Sequence, residues 1–192
     1  MSALLFWISA AIATLCTLLT ASWIVVEYVA SKSSWVSRPE DCSSTLLWLG
    51  CPIATKAFEA RVHGLQEILL KMAPQILVIS GNPKEVETCL DLIQVPKEVT
   101  LIADVNGYRT YASLNEIERF STTVTVLSHR FHLKRVAFLA QGFGLSTILY
   151  PVGDELGPWT TRGRWREAFA RLRAVVDRLF PHSEHQQQRN DL

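Results

Sequence analysis

His129, His132 and Arg135 stand three apart, the interval that places side chains on one face of a helix over two turns. Two imidazoles and a guanidinium at a helix start could hold an anion or a carbonyl oxygen, and His132 is the candidate for moving a proton. The elements that must position them are legible on both sides. Thr122 to Ser128 is rich in β-branched residues and predicts a buried strand. Ser128 is placed to cap a helix running from near Arg130 to Gln141. Gly142 and Gly144 end that helix, and Leu145 to Pro151 form another apolar strand. The plainer alternative is a solvated helix start with no ligand.

Upstream, the same alternation repeats. Thr45 to Gly50 is a continuous apolar run, as expected of a strand covered on both faces. Thr55 caps a helix whose apolar stripe is Phe58, Val62, Leu65, Leu69 and Met72; Arg61 and His63 fall off that stripe. Gln75 to Ser80 is the next strand, followed by Gly81. Asn82, Pro83 and Glu85 then read as an N-cap, a proline at the first helical position and a capping-box acid. Val99 to Ala103 is a short third strand, Asn106-Gly107 a turn, and Thr110 a candidate cap for a helix carrying Leu114 and Ile117. Together this predicts an α/β domain with a five-stranded parallel sheet flanked by helices. Ligands of such sheets sit outside the carboxyl ends of the strands. Those ends hold Gly50-Cys51, Ser80-Gly81, the Asn106 to Thr110 turn and Ser128 to His132.

A chain of 192 residues suits one domain plus an appendage. Its net charge of +1 and 19% charged residues argue against a nucleic-acid binder, which usually needs a concentrated basic surface. Residues 3 to 26 carry no charged side chain and exceed the roughly 20 residues that cross a bilayer. Trp7 and Trp23 lie near the two ends, as interfacial aromatics do. A cleavable signal peptide would want a basic start and a shorter apolar core. No Lys or Arg precedes Lys32, so the expectation is an uncleaved transmembrane anchor over residues 1–30. A polar linker over 31–44, the α/β domain over 45–181 and a disordered tail over 182–192 complete the division. Lys32 and Arg38 after the anchor weakly favour a cytoplasmic domain by the positive-inside rule, offset by Glu27, Glu40 and Asp41.

The four cysteines show no C-x-x-C spacing. About nine extended residues separate Cys42 from Cys51, roughly 30 Å of chain, which is too far for a disulfide. No metal-ligand cluster is visible. The last helix, from about Gly163 to Phe180, aligns Trp165, Ala168, Phe169, Leu172, Val176 and Leu179 on one face, surrounded by arginines. It reads as a core-facing helix with a solvated basic face, or as a surface held near anionic lipid headgroups.

With these residues in view, the chain resembles the SanA/ElyC/YdcF family, closest to its SanA-like, vancomycin-exclusion branch. The resemblance rests on Leu46 to Gly50, Ala60-Arg61-Val62, Ile76 to Gly81, Asp104 to Thr110 with Ser113, and above all Val126 to Arg135. Arg164 to Arg171 also matches the family's final helix. The resemblance implies a Rossmann-like domain tethered to the bacterial inner membrane, facing the periplasm, with a role in envelope barrier function or peptidoglycan-related metabolism. One branch is associated with S-adenosylmethionine and another with the polyprenyl-phosphate carrier, so no cofactor is assigned. Carried over by motif, the ligand-binding residues would be Gly50, Arg61, Ser80, Gly81, Arg109, Thr110, Ser113, Ser128, His132 and Arg135. The chain departs after Gly81, where relatives have a longer polar loop with a downstream Glu. Here Asn82-Pro83 leads directly into a helix, leaving Glu85 or Glu87 as that acid.

Three readings follow. One is a membrane-anchored envelope factor that binds an anionic or lipid-linked ligand through Arg61, Arg109 and the helix start at His132. Another is an enzyme on such a ligand, with His132 as general acid or base. The third is a scaffold for another envelope protein.

Overall fold

The computed structural model describes residues 2–107, 109–153 and 161–180. The tail expected to be disordered, 182–192, lies outside them. The chain forms two compact units, one of Met1–Tyr28 with Pro158–Leu192 and one of Val29–Gly157.

In the larger unit the strands are β1 (Ser34–Trp35), β2 (Thr45–Leu49), β3 (Ile76–Ser80), β4 (Thr100–Asp104), β5 (Thr123–Ser128) and β6 (Ser146–Pro151). The helices between them are α2 (Lys56–Lys71), α3 (Pro83–Leu92), α4 (Thr110–Ile117) and α5 (Arg130–Gly142). All pairings are parallel, in the order β1-β6-β5-β2-β3-β4. The sheet therefore has six strands, not five. The additional one is β1, two residues inside the stretch that reads as a polar linker. Two residues carry no alternation to detect; backbone pairing with Ile148 and Leu149 makes the strand.

Side chains alternate across the strands, and each face has its own cover. Leu46, Trp48, Leu77, Ile79 and Leu127 pack with Phe58, Val62, Leu65 and Ile68 of α2 and Val86 and Cys89 of α3. Trp48 meets Phe58 edge to face, ring centroids 5.7 Å apart. Leu47, Leu49, Val78, Val124, Val126 and Leu149 are equally buried and point the other way. Ser80 belongs to this second set, and its bond to Ser113 places α4 on that side. Because β2 lies between β3 and β5, successive crossovers leave it in opposite directions. Their divergence opens a crevice at the carboxyl ends of β2 and β5, where α/β sheets take ligands.

Helix α1 is Ser2–Ser31, most of it in the smaller unit, and α6 runs over Thr161–Leu179. The helix Leu4–Ser31 has a mean hydropathy of 2.0 and the length and composition to cross a membrane. Helix α6 does not turn its apolar stripe inward. Glu167, Arg171 and Ala174 are the buried residues, while Trp165, Phe169, Val176 and Leu179 are exposed. The expectation of a core-facing apolar stripe is corrected here. Arg171 is the reason: it sits between Glu27 Oε1 at 2.9 Å and Glu167 Oε1 at 3.1 Å, its guanidinium 3.7 Å from the centroid of the Trp23 ring. A charge this deeply buried must be paired, and pairing it turns the polar face inward.

Candidate functional site

Arg61 lies off the apolar stripe of α2 by sequence, yet it is buried. Its Nη1 donates to the carbonyls of Leu49 at 2.6 Å and Gly50 at 2.7 Å, and its Nε donates to His129 Nδ1 at 3.1 Å. The side chain thus links the end of β2 to the start of α5, satisfying the Leu49 and Gly50 carbonyls. Burial pulls its pKa below the ordinary value. His129 feels burial first and the neighbouring guanidinium second, and its pKa falls to about 4. The imidazole is therefore neutral at pH 7.

His129 and His132 do not act as one face. His129 is the N-cap residue of α5 and turns to Arg61. His132 makes bonds at both ring nitrogens, Nδ1 to Ser128 Oγ at 3.1 Å and Nε2 to Thr110 Oγ1 at 3.0 Å. Ser128 was expected to cap α5; its hydroxyl is instead used by His132, and α5 begins with no side-chain cap.

A second polar group lies at the ends of β3 and β4. Ser80 Oγ donates to Asp104 Oδ2 at 2.7 Å and meets Ser113 Oγ at 2.5 Å. Asp104 Oδ1 accepts the Asn106 N–H at 3.1 Å, forming the turn that leads to Gly107. Gly107 packs directly over this group: a Cβ there would collide with Ser80 Oγ and lie 2.8 Å from Asp104 Oδ2. Thr110 and Ser113 are three apart on α4, so this helix joins the Asp104–Ser80–Ser113 group to the Thr110–His132–Ser128 group.

Glu85 lies at the ends of β2 and β3, beside Gly50 and Gly81. Asn82 Oδ1 accepts the Glu85 N–H at 3.0 Å and Glu85 Oε2 accepts the Asn82 N–H at 3.2 Å, a complete capping box. A Cβ on Gly50 would lie 2.5 Å from Glu85 Oε2, and one on Gly81 would lie 2.8 Å from it. The two glycines thus admit this carboxylate to the sheet edge.

The helix starts differ in a way that bears on ligands. Helix α2 is capped by Thr55 and α3 by Asn82, each accepting a first-turn N–H. Helices α4 and α5 begin with Arg109 and His129, and neither is closed by a side-chain cap. Arg109 is exposed.

Of the residues singled out by sequence, Ser80 and Ser113 form one group, and Thr110, Ser128 and His132 another. Gly50 and Gly81 flank Glu85, and Arg61 is committed to the Leu49 and Gly50 carbonyls. Arg109 starts α4, and Arg135 lies half-buried two residues past Leu133 on α5. Sequence reasoning named His129 only as part of a shared helix face, and it left both His129 and Asp104 out of the ligand-binding set. The available signal for Asp104 was a carboxylate ending an apolar strand just before Asn-Gly. Among the described residues, no three His, Cys, Asp or Glu side chains gather as metal ligands. A cleft of about 550 Å³ lined by Gln66, Leu69, Leu92 and Val95 lies at the helix C-terminal ends, hence at the opposite edge of the sheet.

Fold and edge together define a parallel α/β protein whose polar residues converge at the strand carboxyl ends, and which carries, among the described residues, one helix fit to span a membrane. The chain is similar to the protein SanA homolog of Haemophilus influenzae (strain ATCC 51907 / DSM 11121 / KW20 / Rd), 24% identical over 133 residues. The match covers 64% of this chain and 53% of that protein, so the chain spans about half the length of the curated relative it matches. The relationship is SanA-like and distant. No family model matches. No solved structure matches.

Proposed function

We propose that this protein is a single-pass envelope factor of the bacterial inner membrane, with a Rossmann-like domain on the periplasmic side. In this reading it supports barrier function or peptidoglycan-related metabolism by binding an anionic, phosphorylated or lipid-linked ligand. The ligand sits at the carboxyl edge of the sheet, between the starts of α4 and α5. One observation carries this reading: these two helices begin without side-chain caps and with Arg109 and Arg130 at their starts, while a Thr110–His132 bond joins their first turns. First-turn N–H groups and the positive end of each helix dipole favour an anion there. Arg109 adds a charge-assisted donor, and Ser128 and Thr110 hold His132 in orientation.

The test titrates the full-length protein in micelles with inorganic phosphate, a short-chain polyprenyl phosphate and the corresponding alcohol. Binding of the phosphorylated compounds but not the alcohol supports the reading, and weakened binding by Arg109→Ala locates it. Equal binding of the alcohol, or none by any compound, removes it. A compartment-sensitive reporter fused after Leu192 tests the periplasmic orientation.

A catalytic reading rests on the same His132, whose two ring nitrogens meet hydroxyls rather than solvent alone. It requires turnover of the polyprenyl phosphate that His132→Ala abolishes.

A further inference from the structure

Helix α6 is amphipathic in the reverse of the usual sense, with its ionic side buried and its apolar side bare. Trp165 is 55% exposed, Phe169 49%, Leu179 66% and the adjoining Phe180 69%. At 100° per residue, Trp165, Phe169, Leu172, Val176 and Leu179 make one continuous stripe. Arg166 and Arg173 border it on one side and Arg164 on the other. A stripe of this size bordered by arginines is foreign to water.

The same compact unit supplies its setting. Arg171 ties α6 to Trp23 and Glu27 of α1. A hydrocarbon layer of about 30 Å takes about 20 residues at 1.5 Å each. Counted from Leu4, that length ends at Trp23, so Trp23 and Glu27 fall at the level where a spanning helix leaves the acyl chains. Trp23 there and Trp165 on α6 match the preference of indoles for that boundary.

We infer that α6 is an interfacial helix, clamped to the anchor through Arg171 with its apolar stripe in the acyl-chain boundary and its flanking arginines among anionic headgroups. The partner is the bilayer that α1 crosses in the function proposed above, on which this inference rests. The buried ion pair is what makes this orientation stable: it satisfies the polar side of α6 on the anchor and leaves only the apolar side for lipid. Arginines at the border reach the phosphates while their methylene stems stay over the apolar layer.

The experiment uses the full-length protein in vesicles of phosphatidylethanolamine and phosphatidylglycerol, with two independent readouts. In the first, vesicles containing dibrominated acyl chains quench tryptophan emission. The chain has six Trp, so Trp165→Phe isolates one of them, and a clear fall in the quenched fraction is expected. In the second, a photoreactive phenylalanine analogue replaces Phe169 or Val176, and mass spectrometry of the illuminated protein is expected to show lipid adducts. Unchanged quenching in Trp165→Phe overturns the inference. So does cross-linking to a second copy of the chain, or to water alone.

Discussion

Arg61 Nε donates to His129 Nδ1 over 3.1 Å, which places the ring proton of His129 on Nε2, next to Gly153. Protonating Nδ1 would break that bond and set two cations side by side in a buried crevice. The depressed pKa of about 4 expresses this cost, burial first and Arg61 second. Since the folded pKa lies below the ordinary 6.5, the unfolded chain binds more protons between pH 6.5 and about 4. The stabilisation is complete above pH 6.5 and is lost as pH falls through about 4. Melting curves across this window are expected to shift downward with acid. His129→Gln should flatten that dependence, and an unchanged slope in the variant would assign it to other groups.

Arg61→Met is expected to be a stability mutant. It leaves the Leu49 and Gly50 carbonyls and His129 Nδ1 without their donor. Each orphaned buried partner costs about 1–3 kcal/mol, so chemical denaturation should show a loss of several kcal/mol. A variant that melts like the wild type would mean that water replaces the guanidinium, and would return Arg61 to the ligand-binding set.

Arg109→Ala and His132→Ala should separate function from stability. Arg109 is exposed and closes its helix with no side-chain bond. His132 is half-buried, and the Thr110 and Ser128 hydroxyls that its ring nitrogens meet can turn to water. Both variants are expected to fail to complement a barrier-defective deletion strain while losing at most about 1 kcal/mol of stability. Full complementation by both would rule out the site between α4 and α5.

Gly107→Ala tests the packing over Ser80. The added methyl collides with Ser80 Oγ and crowds Asp104 Oδ2 and the Gly81 N–H, so the Asp104–Ser80–Ser113 group must open. The expected cost is about 1–3 kcal/mol, together with weaker ligand binding if that group supports the edge. Wild-type stability would show that the turn moves away without strain.

Much of the fold was legible because two periodicities alternate cleanly along the chain. The starts of α2 and α3 follow from Thr55 and the Asn82 box, and α5 begins at Arg130 as expected, although its N-cap is His129 and not the expected Ser128. The site was legible as an edge but not as a wiring. Helical spacing puts His129, His132 and Arg135 on one face, whereas a cap residue has strand-like backbone angles, so His129 turns to Arg61 instead. Arg61 falls off the apolar stripe of α2 and was assigned to a ligand; the carbonyls of Leu49 and Gly50 hold it inside instead. On α6 a paired Arg171 outweighed an apolar stripe in choosing the buried face.

The pairing of β1 with β6 fixes an order of events in synthesis. Ser34 lies opposite Ile148, so the first strand made has no partner until nearly all of the α/β unit has been translated. Strand β5 likewise keeps one open edge until β6 arrives, although β2 can already receive it. Contacts this distant along the chain slow folding, and unpaired parallel edges invite association with other chains. Segments that leave the ribosome early therefore wait on the last strand, and a nascent chain arrested before Ser146 would expose the longest unprotected edge it ever presents.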